Sequence, residues 1–165
     1  MHLKQIIDES VGDYKETSML LIAPECAWKC VGCHNTHLLK LITKNFPDEE
    51  ILERFQKNPL SKAIVLGGLE PFDCMEEVRA FLQTLRESDI VNPKPTVIIY
   101  TGYDFPDIEQ ELIRTGLDEE MKKHDKVLLK YGGYLPGYNP TYNPLLGINL
   151  ASPNQQVMEY SRWSS

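Results

Sequence analysis

Cys26-Ala-Trp-Lys-Cys30-Val-Gly-Cys33-His34-Asn35-Thr36-His37 places three of the chain's four cysteines within eight residues. Three thiols cannot all pair as disulfides, and gaps of three and two residues suit convergence on one centre. The natural reading is metal ligation, because thiolates are soft ligands that favour zinc, copper(I) or iron–sulfur clusters. Two arrangements fit. In one, Cys26, Cys30 and Cys33 hold three corners of a four-iron cubane and leave the fourth iron open. An open position turns a structural metal site into a chemical one. In the other, His37 joins the three thiolates in a closed zinc site, at a spacing that zinc accepts. Cys74 stands apart and reads as a small buried hydrophobe.

The loop begins where Ser18-Met-Leu-Leu-Ile-Ala23 ends, a continuous apolar run that suits a strand buried on both faces. Beyond the loop, Leu38, Leu39, Leu41 and Ile42 fit either a short helix or a packed loop, with Asn35 placed to cap that helix. Pro47-Asp-Glu-Glu opens a helix whose acids favour the dipole; Ile51, Leu52 and Phe55 share a face, and Asn58-Pro59 closes it. Ala63-Ile-Val-Leu66 is the next buried strand, running into Gly67-Gly68-Leu69-Glu70-Pro71. Asp73 then caps a helix on which Val78, Phe81, Leu82 and Leu85 recur at helical spacing. Thr96 to Tyr100 gives a third strand, ending at Thr101-Gly102-Tyr103. Pro106 to Thr115 reads as a helix with Ile108, Leu112 and Ile113 inward and Gly116 as its stop. Lys126 to Lys130 is a fourth strand before Gly132-Gly133.

Repeated strand, loop and helix imply an α/β fold with a mostly parallel sheet and outer helices. At 165 residues the chain is too short for eight such units. A partial (β/α) barrel or an open curved sheet fits, as one domain over residues 1–165. In either case reacting groups gather at the C-terminal ends of the strands, where the cysteine loop and the Gly67-Gly68, Thr101-Gly102 and Gly132-Gly133 segments fall. Gly67-Gly68 lets the backbone approach a ligand closely, and Glu70 is placed to hold an ammonium group or to orient the loop. Residues 131–154 interleave Gly and Pro with four tyrosines. That segment reads as a long loop laid over the surface, with a partner-docking strip as the alternative. His2 and His124 read as surface residues. Ser164-Ser165 reads as a frayed end, with Val157, Met158 and Trp163 available for packing.

The hydrophobic fraction of 42% and charged fraction of 25% are those of an ordinary globular chain. A net charge of −7 argues against nucleic acid or an anionic membrane as the main partner, since phosphate binding draws on clustered Lys and Arg. No run approaches a membrane span, and Met1 to Ser10 lacks the apolar core and cleavage site of a secretory signal. Clustered unpaired thiols predict a reducing, cytoplasmic setting.

These residues resemble the radical S-adenosylmethionine (SAM) superfamily. Cys26-x3-Cys30-x2-Cys33 matches its cluster motif, and Gly67-Gly68-Leu69-Glu70-Pro71 is similar to its glycine-rich methionine-binding motif with one residue inserted. Within it, the chain resembles the activating proteins of anaerobic (class III) ribonucleoside-triphosphate reductases. That likeness is carried by Cys30-Val-Gly-Cys33-His34-Asn35, by Tyr100-Thr-Gly-Tyr103 and by Ser152-Pro-Asn154-Gln155-Gln156, and it spans most of the chain. The chain departs from the family where Tyr131-Gly132 replaces an Asp-Gly pair and Gln156 an Arg.

The resemblance implies a radical SAM core with a 4Fe-4S cluster on Cys26, Cys30 and Cys33. It also implies an S-adenosyl-L-methionine site lined by Gly32, Cys33, His34, Gly67 and Gly68. Glu70 is counted with that site, and Thr101 and Tyr103 are weaker candidates. The activity implied is that of an oxidoreductase, a glycyl-radical activase that reductively cleaves S-adenosyl-L-methionine. Its protein substrate would be the anaerobic reductase and its electron donor a flavodoxin or ferredoxin. The alternatives are a non-enzymatic zinc or iron–sulfur interaction module and a radical SAM activase for another protein.

Overall fold

The four apolar runs form the parallel centre of a single sheet. A computed structural model describes residues 1–28 and 30–162. Its strands are β1 His2–Leu3, β2 Gln5–Ser10, β3 Ser18–Ile22, β4 Lys44–Asn45, β5 Ala63–Gly67, β6 Thr96–Tyr100, β7 Val127–Tyr131, β8 Thr141–Asn143, β9 Ile148–Leu150 and β10 Gln156–Glu159. The α-helices are α1 Asp48–Lys57, α2 Met75–Glu87, α3 Phe105–Thr115 and α4 Leu117–Lys122. The main sheet has the order β10-β7-β6-β5-β3-β2, and β1 with β4 and β8 with β9 make two small antiparallel pairs. From β3 through β7 the main sheet is parallel, whereas β2 and β10 run antiparallel at its edges. The sheet is therefore open, α/β and mostly parallel, and it does not close into a barrel.

Period-two alternation along each strand divides the core between the two faces. Met19, Ile64, Val97 and Val127 stand in register on one face, with Leu21, Leu66, Ile99 and Leu129 in the next row. Against these rows pack Ile51, Leu52 and Phe55 of α1, Val78, Phe81, Leu82 and Leu85 of α2, and Leu112 of α3. The helices lie on that side, as outer helices should. Leu20, Val65, Ile98 and Leu128 form the opposite face, covered by Tyr14, Leu38, Leu146 and Leu150 from loops and short elements. No helix among the described residues is long and apolar enough to cross a membrane.

Several expectations need correction. The edge strands β2 and β10 were not foreseen, because half-exposed edges carry polar residues that hide the apolar period. The segment 131–154 is more than a surface loop: β8 and β9 form a hairpin within it, and Leu146 is fully buried. Between the two alternatives left open after the cysteine loop, the structure has the short helix, a 3-10 turn over Thr36–Lys40 that buries Leu38. Ile113 is 55% exposed, lying a helical step away from Ile108 and Leu112. His124 is a core residue, packed beside Glu120 with both side chains about 5% exposed or less. Neither Asn35 nor Asp73 caps a helix with its side chain; both are used to build the mouth described below. The expected fraying at Ser164-Ser165 and packing of Trp163 lie outside the described residues.

Candidate metal centre

A cavity of about 390 Å³ opens at the C-terminal ends of the parallel strands. Each strand contributes its following loop: Cys26, Cys30 and Cys33 after β3, Gly68 to Glu70 after β5, Thr101 and Gly102 after β6, and Gly132 after β7. Backbone hydrogen bonds continue the sheet into these loops, from Ala23 N to Gly67 O (3.1 Å), Glu70 N to Glu25 O (2.9 Å) and Gly132 N to Tyr103 O (2.9 Å). The mouth is thus an extension of the sheet.

Side chains then fix the loops to one another. Asn35 Nδ2 donates to Gly68 O at 2.9 Å, joining the cysteine loop to the turn after β5. Asp73 accepts from Ala27 N (2.6 Å) and from the Tyr103 hydroxyl (2.8 Å), and the Tyr103 ring meets Trp28 edge-on at 4.9 Å. The bond to Asp73, with burial, pushes the Tyr103 phenol up to about 12, so it remains a donor at neutral pH. Glu70 is 3% exposed; its carboxylate accepts from Phe72 N (3.0 Å) and Gly102 N (2.7 Å). Burial raises the Glu70 pKa and these amides oppose that rise. Of the two roles expected for Glu70, orienting the loops is the one its contacts express.

Gly68 has φ 74°, and a Cβ there would lie 3.1 Å from Ile22 Cγ2, so the turn needs glycine on both counts. Gly132 has φ 95°, with Asn154 O only 2.7 Å from the position a Cβ would take. The Ser152-Pro-Asn-Gln155 stretch supports this turn, with Asn154 Nδ2 donating to Gly133 O at 2.8 Å. Part of that sequence signature is therefore a prop for the mouth, and Gln155 reaches the cavity wall.

A second cavity of about 470 Å³ adjoins the first beneath the β8–β9 hairpin and shares Cys30, Cys33, Asn35, Gly68, Lys130 and Tyr134 with it. His34 and Gly67 line only this second space. Of the expected site residues, Gly32 and the weaker candidate Tyr103 line neither cavity. Gly32 lies at φ 74° in the turn closed by Cys33 N to Cys30 O (3.2 Å), which brings Cys33 back beside Cys30. Tyr103 acts through Asp73, whereas Thr101 lines the first cavity.

The donor set fits a multi-iron cluster. Among the described residues no three His, Cys, Asp or Glu side chains converge as one metal ion requires. His37 lines the second cavity with Cys30 and Cys33 and does not line the first with Cys26; its Nδ1 lies against His34 O at 2.9 Å. All three cysteines line the first cavity, where each sulfur of a cubane site would meet a different iron. Burial pushes the Cys26 thiol up against its hydrogen bond to the Trp28 backbone, and Glu70 and Asp73 add to the rise. Cys74 lies elsewhere, donating to Pro71 O at 3.2 Å with its thiol pushed up to about 12 by burial. It packs against the core as expected but is half-buried, not fully enclosed.

Lys130 was missed as a site residue. It is 8% exposed at the end of β7, and its ammonium donates to Gly132 O at 3.1 Å and lies 5.8 Å from the Tyr100 ring centroid. Burial pulls its pKa down to about 8, with Glu70 and Cys30 pulling the other way. The signal was readable: Lys130 is two residues from Leu128 and so shares its inward phase on an otherwise apolar strand.

An open α/β sheet with three thiols at one mouth defines an iron–sulfur protein. The chain belongs to the 4Fe-4S single cluster domain family, whose model matches residues 16–132 and so takes in the cysteine loop, Gly67-Gly68 and the end of β7. No curated protein and no solved structure matches the chain.

Proposed function

We propose that the chain is a radical SAM glycyl-radical activase acting on anaerobic ribonucleoside-triphosphate reductase. One observation carries the reading: Cys26, Cys30 and Cys33 are the only Cys or His among the described residues lining the first cavity, and a second cavity adjoins it. Three thiolates leave one iron of a cubane for a substrate, and the second space is where the rest of that substrate extends. Cys26, Cys30 and Cys33 would hold the cluster, which would supply the one electron for reductive cleavage of S-adenosyl-L-methionine and so for hydrogen abstraction from a reductase glycine.

The chain's own residues bind, orient and exclude. Gly67 and Gly68 present backbone to the methionyl end without side-chain obstruction. Glu70, held by Phe72 N and Gly102 N, keeps the loops after β5 and β6 in register. Leu20, Ile22, Val65 and the β9 residues Ile148 and Leu150 give the second cavity apolar walls that exclude water from a reactive species. Electrons would come from a flavodoxin or ferredoxin in a reducing cytoplasm.

A second reading, a non-catalytic iron–sulfur docking module, is favoured by Trp28, Val31, Leu39 and Ile42, exposed apolar residues on and after the cysteine loop. An activase for another protein would share the chemistry and differ in partner. The experiment reconstitutes the protein anaerobically, reduces it with dithionite and adds S-adenosyl-L-methionine with the reductase. The activase reading expects 5′-deoxyadenosine and a glycyl-radical signal, both lost in Cys30→Ala. Cleavage without a radical on the reductase points to another protein substrate, and a cluster-loaded protein giving neither leaves the docking module.

A further inference from the structure

Lys130 is the only Lys or Arg among the described residues lining either cavity, and it lines both. Its ammonium is almost wholly removed from water, yet among the described residues it makes no ion pair; its partners are the Gly132 carbonyl and the Tyr100 ring. A buried charge whose direct contacts are all neutral is costly unless an opposite charge shares the site; Asp13 lines the second cavity, with its carboxylate against the Ser10 hydroxyl. Glu70 lines the first cavity too, but its carboxylate is taken up by the backbone amides of Phe72 and Gly102. The remaining anions on that wall are the thiolates of a loaded site. β7 places Lys130 there by register: Tyr100 and Lys130 are paired at the last rung of β6 and β7, directly before the loops that form the mouth.

We propose that Lys130 is the built-in counter-cation of the cluster: it offsets the negative charge of the three thiolates and raises the potential at which the cluster accepts an electron. Reduction places one more negative charge in the cavity, delivered by an external one-electron donor. A fixed positive charge stabilises the reduced state more than the oxidised one. The inference rests on the cluster occupying the first cavity and not on the radical chemistry, so either can fail without the other.

The test is a spectroelectrochemical titration of anaerobically reconstituted protein without S-adenosyl-L-methionine, comparing wild type with Lys130→Met, Lys130→Gln and Lys130→Arg. The midpoint potential is expected to fall in the Met and Gln variants and to stay near wild type in the Arg variant. An unchanged potential in Lys130→Met at wild-type iron content overturns the proposal, as does an equal fall in Lys130→Arg. If Met and Gln variants remain folded by circular dichroism but hold no iron while the Arg variant does, charge is what retains the cluster, and the proposal stands. Loss of iron from all three overturns it, because side-chain shape is then what matters. A wild-type protein that takes up no iron removes the cluster reading and this inference together.

Discussion

Asn35 and Gly68, 33 residues apart, are joined by a hydrogen bond of 2.9 Å from the Asn35 amide to the Gly68 carbonyl. The bond makes the cysteine loop and the turn after β5 one unit, so the expected metal ligands and the backbone expected to meet a substrate are positioned together. Asp73 adds a second tie, through Ala27 N and the Tyr103 hydroxyl.

Removing the first tie should loosen the cluster without unfolding the sheet. Asn35→Ala and Asn35→Asp both lose the donor, at a net cost of about 1 kcal/mol, or roughly a fivefold faster loss of iron to a chelator. Absorbance decay of the reconstituted variants measures this. A wild-type rate in both would show that the loop holds its shape alone.

The four thiols should divide sharply. Cys26→Ser, Cys30→Ser and Cys33→Ser should each abolish stable cluster uptake, whereas Cys74→Ser should retain wild-type iron and sulfide, since Cys74 lines neither cavity. Iron and sulfide analysis after anaerobic reconstitution decides it.

Gly132→Ala should be more damaging than Gly12→Ala. Both have positive φ, 95° and 104°, and share the strain of about 1–2 kcal/mol that a side chain suffers there. Only at Gly132 would the new Cβ also meet a backbone oxygen, Asn154 O at 2.7 Å; Gly12 has nothing within 4 Å. Thermal unfolding should therefore show a larger fall for Gly132→Ala, and equal falls would remove the prop assigned to Asn154.

His124 gives the fold an acid sensitivity. Burial holds its pKa below the usual 6.5 against the nearby Glu120 carboxylate, with Arg86 assisting and the Leu82 backbone and Asp125 opposing. Its Nε2 is buried without a hydrogen-bond partner. The unfolded chain takes up this proton first as pH falls, so the stability linked to neutral His124 is present above about 6.5 and lost below it, towards the depressed folded value. Urea unfolding at pH about 7.5 and about 5.5 should show a smaller acid-induced loss in His124→Gln than in wild type. An identical loss would place the acid response elsewhere.

Much of the frame is legible because burial on both faces demands continuous apolar runs. Ser18–Ile22, Ala63–Gly67, Thr96–Tyr100 and Val127–Tyr131 announce themselves in that way. Gln5–Ser10 and Gln156–Glu159 do not, since an edge strand keeps polar residues and loses the period. The Thr141–Asn143 and Ile148–Leu150 hairpin hides among prolines and glycines, whose turn chemistry masks the buried Leu146. At the site, the cysteines and glycines are readable from spacing. The ties made by Asn35 and Asp73 are not, because local sequence offers each a helix cap while the tertiary fold offers a partner far along the chain. His124 was misplaced for a similar reason: a histidine between charged neighbours is buried only once α4 packs against α2, bringing Arg86 to Glu120 at 2.7 Å.

The most direct test of an iron left free by the protein is electron paramagnetic resonance of the dithionite-reduced, reconstituted protein with and without S-adenosyl-L-methionine. Three-thiolate ligation at the Cys26, Cys30 and Cys33 cavity predicts about four irons and about four sulfides per chain and a reduced-cluster spectrum that changes when S-adenosyl-L-methionine is added. A fully loaded cluster whose spectrum is the same with and without it, or a colourless protein that binds one zinc instead, would contradict the account.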